Sequence, residues 1–187
     1  MELSNFNIKN GLCISLGANV DSKFGNPISS LIKSRSMVEN ILKEWIIKFN
    51  DYDTQINKSN TNFYWSSLYE SNPHGISEFQ PNYINTLLLL KSDLFPKPTL
   101  NAARNLLNNF KELEKKFGRD KLNQTKKWLP RCLDLDILWW ENLYSNNEEL
   151  KIPHPRFVNR NFVITPLAEI LNRDQEIKKL NISQWKV

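Results

Sequence analysis

Residues 130–140, PRCLDLDILWW, constrain this chain more than any other stretch. In a β-strand alternate side chains share a face. Leu133, Leu135 and Ile137 then enter a core, while Asp134 and Asp136 stand together on the opposite face, their roots roughly 6–7 Å apart. Like charges side by side weaken a strand unless something neutralises them. Two hard carboxylate groups on one rigid element suit Mg²⁺, which takes one or two protein carboxylates and completes its shell with water and phosphate. A solvated polar strand face is the plainer alternative, because D-x-D alone is a weak pattern. Cys132 falls on the aspartate face by the same alternation. A thiolate prefers softer metals, so it reads as a small filler.

Hydrophobic periodicity organises the rest. Leu12–Gly17 is a short apolar run ending in glycine and reads as a buried strand. Asn26-Pro27 offers an N-cap and a proline at the first helical position, and Ile28, Leu31, Ile32, Val38, Leu42, Trp45 and Phe49 follow at helical spacing. Residues 50–62 read as a polar surface loop. Phe63–Tyr69 and Tyr83–Leu90 read as strands joined by a turn-prone segment. Pro98-Thr99 opens a second helix with Leu100, Ala103, Leu106, Leu107, Phe110, Leu113 and Phe117 on one side, ended by Gly118. A basic loop runs to Pro130, Leu133–Trp140 is a strand, and Phe162–Ile170 enters a final apolar stretch. The order is β-α-β-β-α-β with a C-terminal extension, an α+β, ferredoxin-like core with an antiparallel sheet and helices packed on it. One domain over residues 1–187 is expected.

Glu114 falls inside the apolar stripe of the second helix. A carboxylate there needs a partner, either a structural ion pair or a polar ligand. Between Lys111 and Arg131 eight Lys/Arg face three acids, an excess of +5 that equals the net charge of the whole chain. Such a run is a solvated helix face with a basic loop, or a field that attracts a polyanion. Arg119, Lys121 and Arg131 bracket the loop, and an arginine fork matches phosphate oxygens bidentately. Trp128, among lysines, reads as a lid residue. His154, Arg156 and Arg160 add further phosphate donors in one proline-restricted stretch.

Several classes are excluded. Cys13 and Cys132 make neither a CxxC unit nor a disulfide framework, and with His74 and His154 they fit no zinc spacing. No G-x-x-x-x-G-K-[ST] loop is present. No apolar run is long enough to cross a bilayer, and the N-terminus lacks a signal-like apolar core, so cytoplasm is the expected location. An RNA-binding module would share the fold, the basic loop and the exposed aromatics Trp128 and Phe162. It would want a K/R-G-F/Y-type strand, which is missing, and paired aspartates repel phosphate without a cation. Nucleic acid and membrane are therefore not expected as partners.

Taken together, LGAN (16–19), SSLYESNPHG (66–75), QPNYIN (80–85), FGRDK (117–121), KKWLPRCLDLDIL (126–138) and PHPRFVNRNFVITPLAEI (153–170) resemble the 6-hydroxymethyl-7,8-dihydropterin pyrophosphokinase family in order and spacing. The resemblance implies transfer of pyrophosphate from ATP to the pterin's hydroxymethyl group, with release of AMP, in folate biosynthesis. It implies that Asp134 and Asp136 bind two Mg²⁺ ions that clamp the triphosphate. Tyr83 and Phe162 would sandwich the pterin ring and Asn85 would read its polar edge, with Ser71, Asn72 and His74 completing the pocket. Arg119, Lys121 and Arg131 would hold phosphates and stabilise transferred charge beneath a lid carrying Trp128. Glu114, His154, Arg156 and Arg160 would line the nucleotide side. The family is often fused to other folate-pathway enzymes. Leu129 stands where the family usually has glycine or alanine, Lys121 where it has arginine, and Asn161 where a small residue is usual.

Overall fold

Leu12–Ala18 (β1) is an almost unbroken apolar run because it is an interior strand, hydrogen-bonded to Asp134–Trp140 (β5) on one side and Tyr83–Ser92 (β4) on the other. The computed structural model describes residues 11–50, 61–73, 80–119, 129–171 and the backbone of 179–180. Thr61–Trp65 (β2) and Leu68–Ser71 (β3) both pair with β4, and Lys179–Leu180 (β8) extends the sheet beyond β3. The order is β5-β1-β4-β3-β8, and the paired strands run antiparallel. With helix Pro27–Phe49 (α1) after β1 and helix Leu100–Phe117 (α2) after β4, this is the expected ferredoxin-like arrangement.

The helices begin and end where their caps are written. The Asn26 side chain accepts from the Ser29 amide at 2.9 Å with Pro27 at the first turn, and Thr99 accepts from the Ala102 amide at 3.2 Å. Gly118 ends α2 in the left-handed region at φ 112°, its N–H turned back to the Glu114 and Lys115 carbonyls. Leu100, expected on the apolar side, is exposed in the first turn.

Both helices lie on one face of the sheet, over Leu12, Ile14, Leu16, Leu88, Leu90, Leu135 and Ile137. Trp45 of α1 meets Trp140 of β5 edge to face at 4.8 Å, and its indole N–H reaches the Ala102 carbonyl of α2 at 2.8 Å. The opposite face is covered only in part. The apolar stretch after Arg160 is a helix, Asn161–Ile170 (α3), with Pro166 inside it. Its Val163 and Leu167 pack with Phe157 on Cys13, Leu87, Leu89, Leu138 and Trp139. Between β5 and α3 lie two short paired strands, Ser145–Asn146 (β6) and Lys151–Ile152 (β7). They return the chain to β5, where the His154 amide donates to the Leu138 carbonyl at 2.7 Å.

Three expectations need correcting. The strand expected over Phe63–Tyr69 is broken at Ser66 and Ser67 into β2 and β3. Thr61 and Asn62 belong to β2 and not to the preceding loop, of which residues 51–60 lie outside the described residues. Cys132 does not share the aspartate face. β5 starts only at Asp134, so alternation does not yet apply at residue 132. The thiol packs instead against the α1/α2 core beside Gly118.

Candidate active site

The part of the second face that α3 leaves open is the floor of a cavity of about 390 Å³, within the usual size of a small-molecule site. Cross-strand register builds that floor. Gly17 of β1 sits between Asn85 of β4 and Asp134 of β5, and Ser15 sits between Leu87 and Asp136. A Cβ at Gly17 would come within 3.2 Å of Asn85 Oδ1, so the glycine keeps the floor flat. Asp134 and Asp136 lie on the β5 side, facing the cavity, while Leu135 and Ile137 are buried behind them. Tyr83 and Asn85 lie on the β4 side with Ser71 and Asn72 from β3 and its exit. Arg131, His154, Arg156, Arg160 and Phe162 complete the wall.

The two sides differ chemically. On the β4 side the Asn85 side-chain amide donates to Ser71 Oγ at 2.9 Å and to the Tyr83 carbonyl at 3.3 Å, which fixes its orientation. On the β5 side Asp134 Oδ1 accepts from Arg131 Nη1 and from Arg119 Nη1, the latter at 3.0 Å. Asp136 Oδ2 faces Arg160 Nη1 at 3.9 Å, and that guanidinium lies 5.3 Å from the Phe162 ring centroid. Burial, then the Asp134 charge, pushes the Asp136 carboxyl up to about 6, against the pull of Arg160, Arg131 and Arg119. Burial, then Arg160 and Arg156, drives His154 down to about 4, so its ring is neutral at pH 7. Its Nδ1 accepts from the Arg156 amide at 3.3 Å, which leaves the proton on Nε2 and makes that atom a donor.

Glu114 and Arg119 stand behind the cavity wall and do not line it. Glu114, 3% exposed, accepts from the Leu135 amide at 2.8 Å through Oε1 and from Arg119 through Oε2. Of the two readings its position left open, the ion pair describes it. The carboxylate welds the end of α2 to β5 and holds Arg119 against Asp134. Its pKa rises to about 7 through burial and then the Asp134 charge, with Arg119 opposing. His74, Lys121 and Trp128 lie outside the described residues.

Ser15, Leu16 and Gly17 line the cavity, although their apolar strand gave them no role. Asn19 is a larger omission. It is 2% exposed, and its Oδ1 accepts from the Arg131 main-chain N–H at 2.7 Å while its own main-chain N–H donates to the Arg131 carbonyl at 2.9 Å. Asn19 thus fixes the backbone from which Arg131 reaches Asp134. The available signal was a buried strand leading straight into an amide residue.

Two carboxylates with hard oxygens facing one cavity fit a magnesium ion that draws its remaining ligands from water and phosphate. Among the described residues no group of three or more His, Cys, Asp or Glu forms an all-protein metal cage. The family model described as 7,8-dihydro-6-hydroxymethylpterin-pyrophosphokinase matches residues 13–172, from β1 to just past α3. The chain belongs to this pyrophosphokinase family. Among pyrophosphokinase relatives, the 2-amino-4-hydroxy-6-hydroxymethyldihydropteridine pyrophosphokinase of Haemophilus influenzae is 40% identical over 105 residues, covering 56% of this chain and 59% of that protein. The enzyme of the same name from Aquifex aeolicus is 32% identical over 157 residues, 84% of this chain and 78% of its own length. A folate synthesis bifunctional protein of Arabidopsis thaliana is 28% identical over 172 residues, 92% of this chain but only 29% of that protein. The matched stretch therefore spans less than two thirds of the Haemophilus relative and under a third of the plant protein. Every cavity residue named above falls inside the pyrophosphokinase match.

Proposed function

We propose that the chain transfers the pyrophosphoryl group of ATP to the hydroxymethyl group of 6-hydroxymethyl-7,8-dihydropterin, releasing AMP for folate synthesis. One observation carries this reading: one cavity has paired carboxylates among arginines on its β5 side, an oriented amide beside Tyr83 on its β4 side, and Phe162 of α3 in its wall. The β5 side suits a metal-bound triphosphate, and the β4 side suits a flat heterocycle with a polar edge.

Asp134 and Asp136 would hold Mg²⁺, two ions in this reading, which neutralise the charge of the triphosphate. Tyr83 and Phe162 enclose the pterin ring, and Asn85, with Ser71 and Asn72, reads its edge. The pterin hydroxyl oxygen attacks the β-phosphorus, its proton passes to water, and the bond from that phosphorus to the bridging oxygen of the α-phosphate breaks, so AMP leaves. Phosphoryl chemistry asks a protein mainly for positioning and charge stabilisation. Arg131 and Arg119, pre-aimed at the carboxylates, move onto phosphate oxygens as charge develops there. Glu114 acts through Arg119. His154 donates from Nε2 to a phosphate oxygen, and Arg156 and Arg160 add charge on the nucleotide side, where we also assign Lys121 and Trp128. His74 is assigned to the pterin side. The small-molecule substrates are the partners required, and the plant relative, a folate synthesis bifunctional protein, suits a unit that also works when joined to another folate enzyme.

AMP release with the pterin alcohol as acceptor tests this reading. EDTA should abolish it. Asp136→Asn should lower it at least about 100-fold with the melting temperature nearly unchanged. Near-normal AMP release from that variant, or full activity in EDTA, rejects the assignment.

A further inference from the structure

The junction between β2 and β3 is a β-bulge. Trp65 pairs with Leu88 and Tyr69 with Asn85, so three residues on one strand oppose two on β4. A one-residue slip turns the following side chains to the other face. Before the bulge, Phe63 and Trp65 pair with Leu90 and Leu88 and pack on the α1/α2 core. After it, Tyr69 and Ser71 pair with Asn85 and Tyr83 and turn to the cavity face. The bulge is what brings Ser71 Oγ to the Asn85 amide.

A carboxylate from α3 closes it. Glu169 Oε2 accepts from the Ser67 amide at 2.7 Å and the Tyr69 hydroxyl at 3.0 Å, and Oε1 accepts from the Ser67 hydroxyl at 2.7 Å. Hydrogen bonds to a charged acceptor are the strong ones. Three of them converge on one half-buried group, joining residues about a hundred positions apart in the chain. Glu169 is two turns along α3 from Phe162, so one short helix carries the clamp near its C-terminal end and the cavity aromatic at its start.

We propose that Glu169 is a positioning residue for the pterin wall of the cavity: by clamping the Ser66–Ser67 bulge it sets the gap between Phe162 and the Ser71–Asn85 pair. The inference rests on the pterin reading given above. Glu169 does not line the cavity. Its removal therefore changes pterin recognition while the nucleotide side, carried by β5 and the segment before α3, keeps its geometry.

The test uses the full chain with Glu169→Gln, which keeps one acceptor oxygen and the volume, and Glu169→Ala, which keeps neither. The KM values for the pterin alcohol and ATP are measured separately, with direct pterin binding followed by tryptophan fluorescence in the presence of a non-hydrolysable ATP analogue. In Glu169→Gln the pterin KM and dissociation constant should rise about tenfold, with the ATP KM within about twofold of wild type, and Glu169→Ala should be worse in the same direction. Equal loss for both substrates with a lowered melting temperature makes Glu169 an ordinary structural residue. Unchanged pterin binding in Glu169→Gln overturns the proposal even if the alanine variant fails to fold. Wild-type protein that releases no AMP with this pterin removes the reading beneath it, and the inference with it.

Discussion

At the scale of single residues, the site is a set of charges held by groups that do not themselves face the cavity. Asn19 is the clearest case. Asn19→Ala leaves the Arg131 amide without its acceptor, so it should destabilise the fold by about 1–3 kcal/mol. It should also lower AMP release beyond what the lost stability explains, because Arg131 loses its aim. Urea unfolding and turnover measured on the same preparation check this; unchanged turnover would remove Asn19 from the site. His154 offers a second test. In the unfolded chain an imidazole takes up its proton near pH 6.5, whereas in the fold burial, Arg160 and Arg156 hold it down to about 4. A base with a lowered folded pKa favours folding above the unfolded value, so this contribution fades as pH falls from about 6.5 towards 4. Titration of the ring by NMR should give a value near 4 in the free protein, rising when ATP brings negative charge beside it. A free-protein value near 6.5 contradicts the described environment. Asp134 and Asp136 were legible because a period of two separates them from Leu133, Leu135 and Ile137, and Glu114 because it interrupts a period of 3.6. Asn19 showed only a faint signal, an amide residue straight after a buried strand, and Glu169 none: each satisfies a backbone amide far away in the sequence, and no local pattern records a distant partner.

Elements were read well where both a period and a cap were written. Asn26-Pro27 gave the start of α1, and Thr99 and Gly118 gave both ends of α2, since caps are local hydrogen-bonding chemistry. The Ser66–Ser67 bulge was hidden, because an extra residue in a strand has no side-chain signature of its own and two serines suit either strand or turn. Cys132 was misplaced for a related reason: alternation was extended two residues before the strand begins. Phe162–Ile170 reads from the sequence only as an apolar stretch; it folds as α3 with Pro166 inside it, packed on Cys13, Leu87 and Leu138. The packing of α1 on β5 gives a stability prediction. Trp45 and Trp140 are each about 1% exposed and meet edge to face, and Trp45 also bonds to α2. Trp45→Ala should lower stability by about 3–5 kcal/mol, read as a shifted denaturation midpoint. A loss within about 0.5 kcal/mol, typical of surface positions, would mean that this contact does not join the two layers.

For the whole molecule, the sheet has one face closed by α1 and α2 and the other half closed by α3, and the open half holds the cavity. The charge pattern follows that plan. The chain carries +5 overall, yet its cavity presents carboxylates flanked by arginines, the arrangement the proposed metal-bound triphosphate would need. The architecture was legible in the order of periodic segments, but such a fold carries many chemistries, and it is the residues on the open half-face that select one. Among the described residues no helix is long and apolar enough to cross a membrane. The ³¹P NMR spectrum of a reaction containing ATP, Mg²⁺ and 6-hydroxymethyl-7,8-dihydropterin tests the central claim most directly. The ATP β resonance should disappear as an AMP singlet grows, with the two coupled signals of a pterin diphosphate growing beside it. Appearance of ADP with a single phosphoryl ester signal, or an unchanged ATP spectrum from folded protein, would contradict it.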